Sequence, residues 1–177
     1  MSIAYLYQGN QNLFDKYTTA FLCSRKCPAH IVLKSYDWAL ERRDKKQCVI
    51  SGFHSKIEND VLHFLLKGEQ PVILALARGL QRFYNPEIQT ARAQNRLLII
   101  TPFEKSIKRI TSETAKIRNQ LMCDLADEIF VAYASPESKL IPLIKSVLLL
   151  GKPIFTFDAT ENDHLIRLGV EKYILNK

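Results

Sequence analysis

"QCVISGFHSK", residues 47 to 56, sets a short apolar run, Cys48 to Ile50, against the small pair Ser51-Gly52 and then against His54 and Lys56. Such a run, followed by helical character from about 55 to 68, reads as a buried strand turning tightly into a helix. The same unit recurs along the chain. "TTAFLCS" (from about 19), "PVILAL" (71 to 76), "RLLIIT" (96 to 101), "EIFVAYA" (128 to 134) and "PIFTFD" (153 to 158) read as further strands. Helices are expected at about 29 to 45, 86 to 95, 112 to 126 and 139 to 150. Most of the strands are apolar throughout rather than alternating, as when helices cover both faces of a sheet. The β-α alternation predicts an α/β fold with a doubly wound, mostly parallel sheet. With no low-complexity linker, residues 1 to 177 read as a single domain. The opening "AYLYQGNQNLF" fits an edge strand or a helix equally well.

Helix boundaries locate the loops that matter. Thr111 and Ser112 can cap a helix whose Glu113 suits the positive N-terminus, and Ile117, Leu121 and Leu125 then form one apolar stripe with Arg118 and Asn119 beside it. Pro142 is tolerated if Ser138 caps the next helix, because the missing N–H then falls in the first turn; Gly151 stops that helix. The loop Ala134 to Ser138, with Ser135 inside it, therefore joins a strand's carboxyl end to a helix start. In open α/β sheets ligands bind at that edge, where free N–H groups favour anions. "CSRKCP" (23 to 28) and "SGFHSK" (51 to 56) occupy two equivalent positions. There Ser24, Ser51, Gly52 and Ser55 allow close approach of an oxyanion, and Arg25 and Lys56 can add charge-assisted bonds. The bland alternative is that Gly52 only completes the turn and Lys56 faces water.

Composition narrows the function. The formal charge is +7, and the excess gathers in connecting regions: seven Lys/Arg against three acids in 24 to 46, four against one in 78 to 96, five against two in 104 to 118. Clustered cations gain affinity for polyanions by releasing condensed counterions. No apolar run approaches the roughly 20 residues a membrane helix needs, and "MSIAYLYQGN" lacks the layout of a secretory signal. A cytoplasmic protein without membrane attachment is expected. Cys23, Cys27, Cys48 and Cys123 contain no C-x-x-C pair, so free thiols are expected rather than a metal site. His30, His54, His63 and His164 are not arranged with carboxylates or a nucleophile in a catalytic order. Neither catalysis nor a cofactor is expected.

In order and spacing, "SRKCP", "VISGFHSKIENDVLHFLL", "VILALARGLQRFYNPE", "LLIITPF", "AKIRNQLMCDLADEIFVAYA" and "GKPIFTF" resemble the Rossmann-like core of the DNA-processing protein A (DprA/Smf) family of the SLOG superfamily, over roughly residues 19 to 160. On that resemblance Arg25 matches the arginine of the family's G-S-R turn, Ser51-Gly52 its S-G turn and Arg118-Asn119 its Arg-Asn, with Lys116 just before them, while Tyr84 and Pro86 sit near its Tyr-Pro. The departures are Cys23 for the first glycine, His54-Ser55-Lys56 for the usual Arg-Gly region, Gln120 for a second arginine, and "SPESK" for a Gly-Ser-rich loop. The chain reads as a divergent member reduced to the core. The resemblance implies single-stranded DNA bound in a basic pocket, a homodimer, and delivery of the strand to a recombinase. Arg25, Lys56, Lys116 and Arg118 would hold phosphates, and Phe53 or Phe103 would stack on bases. Two alternatives stay open. One is a SLOG-type protein that binds and senses a nucleotide or nucleotide derivative; the other is a partner-binding domain whose pocket has decayed.

Overall fold

The computed structural model describes residues 4 to 175. Strand β1 (Leu6–Gly9) leads through a 3-10 turn (Gln11–Asp15) to β2 (Thr18–Cys23), and from there strands and helices alternate. They are α1 (Ala29–Asp44), β3 (Cys48–Ser51), α2 (Lys56–Leu66), β4 (Val72–Ala75), α3 (Pro86–Ala93), β5 (Leu97–Thr101) and α4 (Ser112–Leu125). The second half continues with β6 (Glu128–Tyr133), α5 (Leu140–Leu149), β7 (Ile154–Phe157), α6 (Asp163–Arg167) and β8 (Glu171–Tyr173). One eight-stranded sheet results, in the order β1-β5-β4-β3-β2-β6-β7-β8, parallel except for β1 against β5. This is the doubly wound, Rossmann-like α/β architecture expected.

Every residue of β2, β3, β4 and β5 is buried, because helices cover both faces. On one face α1, α2 and α3 pack Trp38, Val61, Leu65 and Ile88 onto Phe21, Val49, Leu74 and Phe130. On the other, Leu121, Ile144, Val147 and Leu165 of α4, α5 and α6 meet Leu22, Ile50, Ile129 and Val131. Of the stripe expected on α4, Leu121 is fully buried in the core and Leu125 packs against it, while Ile117 is only half-buried and stands outside the core cluster. In α5, Pro142 lies in the first turn and Gly151 follows at φ +72°, the left-handed stop. Ser138 sits one residue before the helix cap, Lys139, and its Oγ accepts the Leu140 N–H at 3.2 Å.

The opening segment uses both expected forms in turn. Gly9 ends β1 at φ +111°, where a Cβ would lie 2.3 Å from the Leu97 carbonyl oxygen, and the Asn10 side chain caps the 3-10 turn. Helix α6 and strand β8 had no sequence expectation; five and three residues are too short to carry a period.

The chain steps from β2 outward to β5, then returns through α4 to place β6 on the other side of β2. That reversal opens a crevice at the carboxyl ends of β2 and β6, the position where such sheets bind ligands.

Candidate nucleic-acid interface

Two zones meet at this carboxyl edge. At the crevice itself, the loops after β2 and β6 are laced together. Ser24 N–H donates to the Tyr133 carbonyl at 2.8 Å, Ser24 Oγ donates to Ser138 Oγ at 3.0 Å, and Ser135 N–H reaches Ser24 Oγ at 3.4 Å. His164 of α6 ties to the Ala134 carbonyl at 2.7 Å. Three of the expected serines therefore share one place, with Arg25 exposed beside them.

The second zone lies past β3 and β4. Ser51 is buried and donates to the Phe21 carbonyl at 2.9 Å, so its hydroxyl serves the sheet. Ser55 caps α2 in a reciprocal box: its Oγ accepts the Glu58 N–H, while the Glu58 carboxylate accepts the N–H groups of His54 and Ser55 at 2.9 and 3.0 Å. Above them comes Arg118. From α4 its guanidinium reaches over the sheet edge onto Gly52, so closely that a Cβ at position 52 would sit 1.5 Å from Nη1. Only glycine leaves room. Nη1 donates to the Ala75 carbonyl at 3.3 Å and Nε to Asn119 Oδ1 at 2.8 Å, which gives Asn119 a positioning part.

Arg118 is 5% exposed, and among the described residues no carboxylate lies within ion-pair distance of it. Burial lowers its pKa, with the Glu58 charge opposing. A guanidinium stays protonated through such a shift, so a buried cation remains, hydrogen-bonded to neutral oxygens and without an ion-pair partner among the described residues. It borders a cavity of about 310 Å³ lined by Gly52, His54, Arg78, Gln81, Tyr84 and Asn85, with apolar walls from Phe53, Leu62, Leu74, Leu76 and Ile88. The His54 pKa is lowered, first by loss of solvent and then by the Arg118 charge, with Arg25 and Arg78 acting in the same sense. Arg25, Arg78 and Arg118 thus bear on one imidazole, which joins the two zones electrostatically.

The structure separates other expected residues from this group. Lys56 is 86% exposed and its ammonium is committed to Asp60 at 2.8 Å, an i,i+4 pair on the outer face of α2. Lys116 is exposed on α4 and does not line the cavity. Phe53 packs in the core, 4% exposed at φ +45°, and gives the cavity a small part of its wall rather than a free ring face. Phe103 is half-buried and outside the cavity. Conversely Arg78 and Gln81 line the cavity without having been expected there. The only sign of Arg78 is its place in the basic segment 78 to 96. Tyr84 holds the loop, its hydroxyl accepting the Gln81 N–H at 3.0 Å.

Among the described residues no group of three or more His, Cys, Asp or Glu side chains is placed to hold a metal, and no helix is long and apolar enough to cross a membrane. The four cysteines are free.

The sequence matches the family model of DNA recombination-mediator protein A over residues 2 to 176, wider than the stretch carrying the motifs. Among solved structures, DNA processing protein A from Streptococcus pneumoniae is similar with a TM-score of 0.78 at 20% identity, covering 96% of this chain and 62% of that one. The chain thus spans less than two thirds of the length of that relative. DNA processing protein A from Helicobacter pylori, whose single-stranded DNA binding mode has been described structurally, is similar with a TM-score of 0.78 at 18% identity, covering 97% and 82%. A molybdenum cofactor binding protein from Rippkaea orientalis shares the fold at a TM-score of 0.62 and 10% identity, over 90% of each chain. No curated protein matches the sequence.

Proposed function

The chain belongs to the DNA recombination-mediator protein A family, and on that premise we propose that it binds single-stranded DNA at the carboxyl edge of its sheet, without catalysing a reaction. One observation carries the reading. Arg118 is a buried guanidinium with no carboxylate within ion-pair distance among the described residues, held against Gly52 at the head of an open cavity. A buried charge of this kind is costly unless something compensates it, and a phosphate oxygen does so with short, charge-assisted bonds. Arg25 and Arg78 raise the local positive potential, and the hydroxyls of Ser24, Ser135 and Ser138 offer neutral contacts at the crevice beside it. The reading includes pairing of two copies and delivery of the strand to a recombinase in the cytoplasm, which the family resemblance supports.

The cavity volume favours a second reading, since about 310 Å³ is enough for one nucleotide or a nucleotide-derived ligand. Salt separates the two. Anisotropy titrations of a labelled oligonucleotide and of a mononucleotide at two ionic strengths should show a steep loss of affinity for the polymer and a shallow one for the monomer. Arg118→Ala should weaken oligonucleotide binding by about 1 to 3 kcal/mol, with thermal unfolding confirming that the variant folds. Unchanged affinity in a folded Arg118→Ala protein removes this residue from the site; tight mononucleotide binding without oligonucleotide binding replaces the first reading by the second.

A further inference from the structure

Beside the cavity, the loops that follow β4 and β5 are locked to each other. Gly79 N–H donates to the Ile107 carbonyl at 2.8 Å, and Thr101 Oγ1 donates to the Arg78 carbonyl at 2.6 Å. The approach is close enough that a Cβ at Gly79 would lie 2.3 Å from the Glu104 carbonyl oxygen and 2.7 Å from the Lys105 Cα. The two loops therefore form one preformed ridge.

Its surface is unusual for a face turned to water. Phe83, at the cavity rim, is 72% exposed, and Ile107 is 40% exposed. The Arg82 guanidinium lies 5.3 Å from the Phe83 ring centroid. Lys105, Lys108 and Arg109 are exposed around them, and among the described residues none of these four cations forms an ion pair. An exposed ring amid unpaired cations complements a ligand with repeated negative charges and accessible π-faces. A single-stranded polynucleotide has both, whereas a duplex hides the faces of its bases and an acidic peptide has few rings to offer.

We infer that the ridge of Arg82, Phe83, Lys105, Ile107, Lys108 and Arg109 is a second contact surface, over which a single strand leaving the cavity runs with one base stacked on Phe83. This rests on the reading of the cavity as a DNA site. It makes the polymer, rather than a mononucleotide, the ligand of the whole edge.

The test is length dependence. Fluorescence anisotropy with oligothymidylates of increasing length is measured for the wild type, Phe83→Ala and Phe83→Trp, each checked by thermal unfolding. Wild-type affinity rises once the strand outgrows the cavity. Phe83→Ala lowers the ratio of long-strand to short-strand affinity by about tenfold, as loss of one base–aromatic stack would, and Phe83→Trp restores it. Replacing Lys105, Lys108 and Arg109 by alanine flattens the salt dependence for long strands. A Phe83→Ala protein with the wild-type length dependence overturns the ridge and leaves the cavity reading standing. So does a wild type that binds short strands with no gain from length. A wild type that binds no oligonucleotide of any length overturns both.

Discussion

Arg118 and His54 hold opposite ends of one electrostatic relationship. Because loss of solvent and then the Arg118 charge lower the imidazole pKa, the folded protein resists protonating His54 at pH values where the unfolded chain, titrating near about 6.5, accepts the proton. The unfolded state then binds more protons, so this group's effect is to reduce stability as pH falls through that value, and the effect is absent well above it. In Arg118→Gln the His54 titration followed by NMR should move upward. Addition of inorganic phosphate to the wild type should move it the same way, because either change removes or screens the neighbouring positive charge. A His54 that titrates identically in both proteins contradicts the arrangement. At this scale the sequence was partly legible. Ser51-Gly52 and Arg118-Asn119 stand out through the family pattern, but the reason for Gly52, room for a guanidinium from a helix 66 residues away, is a tertiary fact. Arg78 has no pattern of its own. Lys56 shows the reverse, since a basic residue beside the turn is claimed by Asp60 one helical turn on.

Secondary-structure elements here are ended by residues borrowed from elsewhere. Helix α4 has no basic side chain in its last turn, yet Lys152, from the loop before β7, donates to the carbonyls of Cys123, Asp124 and Ala126 at 2.6, 3.2 and 2.5 Å. The ammonium meets carbonyls that the helix leaves open and the negative end of its dipole. Lys152→Met should lower unfolding free energy by about 1 to 2 kcal/mol in urea titrations, with α4 the first helix to gain hydrogen exchange. An unchanged midpoint shows the contact to be dispensable. The central strands were readable because a short apolar run between polar helical segments can escape water only inside a covered sheet. Strands β1 and β8 were not, since four and three largely exposed residues gain their form from the neighbours they pair with. The caps at Thr111 and Gly151 were readable from local chemistry, whereas a contact supplied from 26 residues beyond the C-cap, Ala126, was not.

Across the whole molecule, the edge proposed to bind DNA and a buried ion pair that holds the fold together lie at opposite ends of the central strands. At the amino ends of the strands, buried Arg42 meets Glu128 at 3.2 Å and Thr19 at 3.1 Å, with its guanidinium 5.0 Å from the Trp38 ring and 5.4 Å from that of Tyr173. This joins α1, β2, β6 and β8. Glu128→Gln leaves Arg42 buried without its anion and should destabilise the protein by about 3 kcal/mol, while oligonucleotide affinity, measured well below the melting temperature, stays unchanged. A loss of affinity would show that the two edges are coupled. The doubly wound, mostly parallel sheet was legible from the β-α alternation, but the strand order, and with it the place of the reversal that creates the crevice, was not, because no local pattern marks which side of β2 receives β6. That reversal also governs how the chain assembles as it emerges from a ribosome. Strands β2 to β5 can pair one after another, but the second flank of β2 has no partner until β6 appears about a hundred residues later. Until then the half-built sheet presents along β2 (Thr18–Cys23) an open edge of unpaired backbone N–H and C=O groups, the kind of surface that chaperones guard and neighbouring nascent chains can join. The central crevice is therefore completed late in synthesis, and a ribosome stalled within α4 would leave an interrupted chain prone to aggregate.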